Sequence, residues 1–257
     1  MRGGRTLVSS VSLGLVLFAA AFAFSQRSIF DRFRGQEPFD IAETERPSIV
    51  PSFEFARVRF TSYREGRRPG WSHDFPRAER NLLTILSEMT GVHTEPRAHA
   101  VVELASPDLM SYPILYFSEP GGWAITPEEA ENLRSYLLRG GFAIFDDFDG
   151  PWDWENFENA MALVLPGSHF VELTVDEPVF QSFFHIESLD MVPPYGAYAV
   201  PTFHGLKDDS GRLQVVANFN NDIGDYWEWS DAGYYPIELS NEGFKFGVNY
   251  VIYAMMH

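Results

Sequence analysis

Residues Leu133 to Glu158, LRSYLLRGGFAIFDDFDGPWDWENFE, read as a helix, a tight turn, a buried strand, an acidic loop and the start of a second helix. Leu133, Leu137 and Leu138 make an apolar helical stripe, and Gly140 and Gly141 suit the left-handed turn that stops a helix. Phe142 to Phe145 is a short, continuously apolar run of the kind found in central strands covered on both faces. Asp146, Asp147 and Asp149 fall where that strand should end, which is the edge where open α/β sheets bind ligands.

The same grammar extends in both directions. Phe53 to Phe60 has the aromatic and β-branched character of a first strand, and its alternation puts Phe53, Phe55, Arg57 and Arg59 on one face. Thr61 to Pro76 is an Arg- and Gly-rich loop holding Trp71, His73 and Asp74. Arg80 to Met89 follows as a helix with Leu82, Ile85, Leu86 and Met89 inward. Ala100 to Leu104 and Tyr112 to Phe117 suit two more buried strands. Thr126, Pro127 and Glu129 mark a helix start with a capping box. Beyond the central stretch, Trp154 to Leu165 places Phe157, Met161 and Val164 on one helical face before Pro166-Gly167 ends it.

The pattern weakens from Ser168 to Arg212. His169 to Leu173 reads as a strand, Pro178 to Phe184 as a short helix, and Met191 to Thr202 as a surface excursion. Leu213 to Phe219 is a further strand that runs into the Asx-rich loop NNDIGDYWEWSD. Phe244 to Met255 closes the chain as a helix with Phe244, Val248, Val251, Ile252 and Met255 inward. Strands alternating with helices predict an α/β domain over 53–257: a three-layer α/β/α sandwich with a mostly parallel sheet, flavodoxin-like or class I glutamine-amidotransferase-like in shape.

Ahead of that domain, Arg2 and Arg5, the apolar run Leu7 to Phe24 and the small-x-small site Ala21-Phe22-Ala23 read as a signal peptide over 1–23. Residues 24–52 then form a tether. This reading places the protein in the periplasm or otherwise outside the cytoplasm. The rival is an uncleaved anchor, in which Leu7 to Phe24 is the only membrane contact, since about 18 apolar residues can just span a bilayer.

The absence of cysteine excludes disulfides, thiolate metal sites and a cysteine nucleophile. The formal charge is −17, and from Gly141 to Asp231 there are 17 Asp or Glu against only Lys207 and Arg212. An acidic body argues against nucleic acid as a partner, because phosphate binding needs clustered Lys and Arg. An envelope protein or a small ligand is expected instead.

Several motifs together carry a resemblance. They are Phe53-x-Phe55-x-Arg57-Val58, Trp71-x-x-Asp74-x-Pro76, Tyr112-Pro113, Gly140-Gly141-Phe142 with Asp146-Asp147-Phe148, Asn218-x-Asn220-x-Asp222-x-Gly224-Asp225, Glu228-Trp229, and Asn249 with Tyr253-Ala254-Met255-x-His257. In this order the chain resembles the bacterial domain-of-unknown-function family numbered 4159, from about Phe53 to His257. The resemblance implies a class I glutamine-amidotransferase-like fold and an envelope setting, with no established activity. True amidotransferases of that fold use a cysteine at a strand-to-helix elbow; this chain carries Asp146-Asp147 there, so amidotransfer is excluded.

Asp146, Asp147 and Asp149 offer the hard oxygens that Mg²⁺ or Ca²⁺ prefers, and Asn218, Asn220, Asp222 and Asp225 add more if the two loops converge. Asp147, Asp149 and Asp222 are the metal-ligand candidates. No cofactor is otherwise expected. The plainer account is that these side chains cap helices and close Asx-turns. Neighbouring strand residues face opposite ways, so a working acid/base pair would join Asp147 to Asp222 or Asp225 rather than to Asp146. Arg57 and Arg59 either pair with buried carboxylates or clamp an anionic ligand. Asp74, Glu228 and Trp229 complete the ligand-binding set, with His73 as the histidine beside it. Scattered histidines argue against zinc, and neither a Gly-x-Ser-x-Gly elbow nor a phosphate-cradling glycine loop is present. Two functions follow: first, a non-catalytic module with a degenerate amidotransferase-like fold that binds a ligand or partner through these loops; as the alternative, a carboxylate-dependent hydrolase, with or without a metal, acting on an envelope saccharide or amide.

Overall fold

Parallel strands buried on both faces need helices above and below them, and the alternating pattern supplies both layers. The computed structural model describes residues 53–64, 70–194 and 200–257. The leader and tether expected over residues 1–52, together with Arg67 and Arg68, lie outside the described residues. Among those described, no helix is long and apolar enough to cross a membrane.

The strands are β1 (Phe55–Arg59), β2 (His99–Glu103), β3 (Ile114–Ser118), β4 (Phe142–Phe148), β5 (Val171–Glu172), β6 (Thr202–Lys207) and β7 (Leu213–Phe219). They form one sheet in the order β2-β1-β3-β4-β7-β6-β5. The pairs from β2 through β7 are parallel, and β6 and β5 extend the sheet antiparallel. The helices are α1 (Arg77–Met89), α2 (Pro127–Leu138), α3 (Gly150–Val164), α4 (Ile223–Glu228) and α5 (Ile237–Met256). One core joins Phe55, Tyr116, Phe142 and Ile144 of the sheet to Leu82, Leu83 and Leu86 of α1, Ile223 and Trp227 of α4, and Val248 and Val251 of α5. On the opposite face, Val58, Phe117 and Phe145 pack against Leu133 and Leu137 of α2 and Phe157 and Met161 of α3. The result is a mixed, mostly parallel sheet flanked by helices, consistent with three α/β/α layers.

Local chemistry accounts for most of the boundaries. Thr126 accepts from the Glu129 N–H and the Glu129 carboxylate accepts from the Thr126 N–H, so α2 opens on the expected capping box. Gly140, at φ 105°, leads the chain out of that helix.

The structure differs from the sequence reading at several points: α5 begins at Ile237 rather than Phe244, Leu138 is exposed, and only Pro178–Phe180 of the expected short helix is helical. Helix α1 begins three residues early, and Met89 at its end is exposed while Leu83 takes a core place. Met255, expected inward, is likewise exposed near the end of α5. TFHGLK, in the stretch where periodicity fails, is strand β6, held by its antiparallel ladder with β7. Finally, β4 does not stop at Phe145 but runs on through Asp146 and Asp147 to Phe148, with a register irregularity against β7 between Phe145 and Phe148.

Arg57 ties the first strand to α1. It is fully buried, with Nε 2.7 Å from Glu79 Oε1 and Nη1 donating to the carbonyls of His73 at 2.8 Å and Trp71 at 3.2 Å. Its guanidinium lies 4.5 Å from the centre of the Tyr116 ring. These donors are spent inside the protein, so the ligand clamp considered for Arg57 is set aside, and its carboxylate partner is Glu79 rather than an aspartate of the loops. Arg59 pairs at the surface with Glu103. Removing one member of a buried pair strands the other, so Arg57→Met is expected to cost about 3–5 kcal/mol in urea denaturation, whereas Arg59→Met should cost under about 1 kcal/mol.

Candidate functional site

The parallel strands β1, β3, β4 and β7 end on one rim of the sheet, and left-handed residues occur at or just after the ends of β3, β4 and β7 and in the segment that leads into α1. Asp74 (φ 64°), Glu119 (51°), Asp147 (60°) and Asn220 (56°) are the non-glycine residues with positive φ among those described. Such conformations cost about 1–3 kcal/mol each and persist where surrounding structure imposes them, often at functional sites.

At β4 the alternation holds through Asp146, which shares a face with Phe142 and Ile144. Its carboxylate accepts from Tyr116 Oη at 2.6 Å, Gly224 N at 2.8 Å, Asn218 Nδ2 at 3.0 Å and Ile223 N at 3.2 Å. Burial nevertheless pushes it up to about 6, with those four bonds pulling the other way. Asp146 is thus an anchor, fastening the start of α4 to the sheet, and its oxygens are committed. The irregularity after Phe145 then re-aims Asp147, whose N–H donates to Asn221 O at 3.1 Å.

Asp147 Oδ2 lies 2.9 Å from His73 Nδ1. The same ring nitrogen is 3.5 Å from Asp74 Oδ1 and 3.7 Å from Glu119 Oε1. His73, Asp74, Asp147 and Asp222 each present a ligand atom, all within 4.8 Å of one another; Asp74, Asp225 and Glu228 form a second such group. Two donors on opposite sides of one ion are separated by twice a metal–ligand bond, roughly 4–5 Å for bonds of about 2.0–2.5 Å, so either group has the dimensions of a coordination shell.

The buried oxygens here are unusually placed. No N–H or hydroxyl donates to either oxygen of Asp74 or to Oδ2 of Asp222, although both residues are buried. Asp74 faces Glu228 carboxyl to carboxyl, a contact that needs a proton or a cation to be favourable. Burial raises Asp74 and Asp222 well above the carboxylate range, and the charge of Asp147 adds to both. Glu228 is pushed to about 7 by burial and by Asp225. His73 is raised to about 10, chiefly through its hydrogen bond to Asp147. Protons are held, in short, because negative charge is concentrated and little positive charge answers it.

The remaining sequence candidates have other posts. Asp149 is exposed at the N-cap of α3, makes no capping bond and belongs to neither group, so the metal-ligand role expected for it is not supported by its position. Its capping task falls to Asn220, whose Oδ1 accepts from Gly150 N at 3.0 Å while Nδ2 donates to Val200 O at 3.2 Å. Asn218 bridges Asp146 and Tyr250. Asp222 caps α4 through Oδ1, accepting from Asp225 N at 2.9 Å, while no N–H or hydroxyl donates to its Oδ2. Asp225 accepts from Tyr235 Oη at 2.9 Å and from Trp229 Nε1 at 3.1 Å, and Trp229 stacks under Arg77. Glu119 was missed by sequence reasoning. Its signal was available, since it directly follows a strand that ends at the same rim.

These features define an α/β domain whose buried Asp, Glu and His clusters could coordinate a divalent metal at the C-terminal rim of its sheet. The imidazole nitrogen of His73 among the carboxylate oxygens departs from the all-oxygen set expected from the sequence. The chain belongs to the family described as a domain of unknown function, DUF4159, whose model matches residues 54–255. No curated protein matches it. The lack of cysteine excludes the cysteine-dependent amidotransferase mechanism.

The proton affinities fix a sign for stability. In protein stripped of divalent ions, Asp146 at about 6 and Glu228 at about 7 exceed the unfolded carboxyl values of about 4, and His73 at about 10 exceeds about 6.5. The folded chain therefore binds more protons than the unfolded one, and stability falls as pH rises: from about 4 to 7 through the carboxyl groups, and from about 6.5 to 10 through His73. Urea midpoints in chelator at about pH 5, 7 and 9 should decrease in that order; an increase would mean the protein alone compensates the ionised carboxylates.

Proposed function

We propose that this domain is a metal-dependent hydrolase acting on an envelope saccharide or amide, with His73, Asp74, Asp147 and Asp222 holding a divalent cation. One observation carries the reading: Asp74 and Asp222, both buried and each with an oxygen that no N–H or hydroxyl reaches, present ligand atoms with His73 and Asp147 all within 4.8 Å of one another. A side chain at a binding module's core would have its polar atoms satisfied by the protein, since each unsatisfied buried group costs roughly 1–3 kcal/mol.

The bound ion would act as a Lewis acid and lower the pKa of a coordinated water. The chain's own residues supply the rest. His73 and Glu119 are part-exposed and present the group to solvent. Glu119 is raised above its ordinary value by burial and by the charge of Asp147, and its carboxyl lies 3.7 Å from His73 Nδ1, placing a proton acceptor beside the group. In this mechanism water oxygen bonds to the acyl or anomeric carbon, its proton passes to the Glu119 carboxylate, and that proton is returned to the departing amine or alcohol.

The fold supports the same reading. Counting β7 as the fifth parallel strand, the order is 2-1-3-4-5, that of flavodoxin-like sheets, and ligands of such sheets bind where the order reverses, beside β1 and β3. The class I amidotransferase-like shape belongs to the same architecture. Export to the envelope, with or without a retained anchor at Leu7 to Phe24, is part of the proposal.

Mn²⁺ or Zn²⁺ at 100 times its dissociation constant should stabilise the protein by about 2.7 kcal/mol, seen as a higher melting temperature that chelator reverses. Asp222→Asn should abolish that shift while retaining the fold by circular dichroism. Incubated with isolated envelope polysaccharide and peptidoglycan, the metal-loaded protein should release new reducing ends or free amines and Asp222→Asn should not. Metal binding without release from either material would overturn the hydrolase in favour of a binding module.

A further inference from the structure

Resting on that metal-site reading, we infer that the rim holds two divalent cations rather than one, with Asp74 as the carboxylate that bridges them. The two groups of ligand atoms meet in one residue. Asp74 shares one group with His73, Asp147 and Asp222, and the other with Asp225 and Glu228. Asp74 has two buried oxygens that no N–H or hydroxyl reaches in hydrogen-bond geometry; His73 Nδ1 lies 3.5 Å from Oδ1, and the Glu228 carboxyl faces the same side chain. An ion in the first group alone would leave that Asp74–Glu228 carboxyl contact without a cation.

Charge counting points the same way. The two groups contain five carboxylates, Asp74, Asp147, Asp222, Asp225 and Glu228, packed around one neutral or singly charged imidazole. One divalent ion leaves half or more of that charge uncompensated, whereas two bring the cluster close to neutrality, as buried charge requires.

The second position also has the outer partners that a metal-binding carboxylate needs. Tyr235 Oη and Trp229 Nε1 each donate to a different oxygen of Asp225, fixing its orientation and leaving lone pairs for an ion. Space is reserved as well: a Cβ on Gly224 would sit 2.7 Å from Asp74 Oδ2 and 2.8 Å from Tyr116 Oη, so the backbone of α4 approaches Asp74 only because residue 224 has no side chain. A bridged pair about 3.5–4 Å apart is the arrangement that clamps both the attacking and the leaving oxygen in hydrolysis.

Manganese distinguishes the possibilities. The full-length protein, dialysed against excess Mn²⁺ and then desalted, should retain two ions per chain by elemental analysis and show the exchange-coupled electron paramagnetic resonance spectrum of a bridged pair. Glu228→Gln, close in size to the native residue, should lower the stoichiometry to one and give the spectrum of an isolated ion; Asp225→Asn serves the same purpose if Glu228→Gln unfolds. One uncoupled ion per wild-type chain would overturn the pair while leaving the single-site reading intact. Two uncoupled ions would overturn the bridge, and no retained manganese would overturn both.

Discussion

Carboxylates repel, and a protein that collects them in its interior must say what holds them. Two unit charges about 4.8 Å apart at an effective dielectric of about 20 oppose each other by roughly 3–4 kcal/mol. The rim of this sheet carries several such pairs, answered within the chain by His73 and by protons. The whole arrangement of loops depends on that imbalance being relieved, and a divalent cation relieves it more completely than protonation because it satisfies several oxygens at once.

The positive charge that the protein does bury is placed elsewhere. Arg57 lies under the β1 exit and spends its donors on Glu79 and on the carbonyls of Trp71 and His73. It therefore shapes the loop that carries His73 and Asp74, and its charge also reaches Asp74, but its ion pair is with Glu79. Asp146 plays the matching part on the other side, drawing the first N–H groups of α4 down to the sheet so that Asp222, Asp225 and Glu228 hang over the same rim. Hydrogen bonds to a charged acceptor are worth about 1.5–3 kcal/mol each, enough to fix so short a helix. One ion pair and one carboxylate thus position two loops that are far apart in sequence, and the functional carboxylates are those left over after this scaffolding is complete.

This division of labour explains why adjacent aspartates have different fates. Asp146 keeps the strand's alternation and is consumed as a structural acceptor. Asp147, one residue on, takes a left-handed conformation and turns to His73. Asp149, next in line, reaches solvent. A run that reads as one acidic loop is in fact an anchor, a ligand and a surface charge.

What the sequence determined by itself is whatever a few neighbouring residues decide. The capping box of α2, the glycine turn after it, the apolar runs of β3, β4 and β7 and the helical stripe of α3 are local, and local periodicity and side-chain geometry suffice to place them. The excess of acid and the absence of cysteine likewise bound the chemistry. Tertiary structure alone decided the rest. TFHGLK becomes β6 because β7 offers it a ladder, and IGDYWE becomes α4 because Asp146 and Asp222 cap it, whereas neither segment has the propensity to do so unaided. Which acids meet His73 depends on where four strands end and on how Arg57 bends the loop after β1, and those are long-range constraints that no spacing in the chain records.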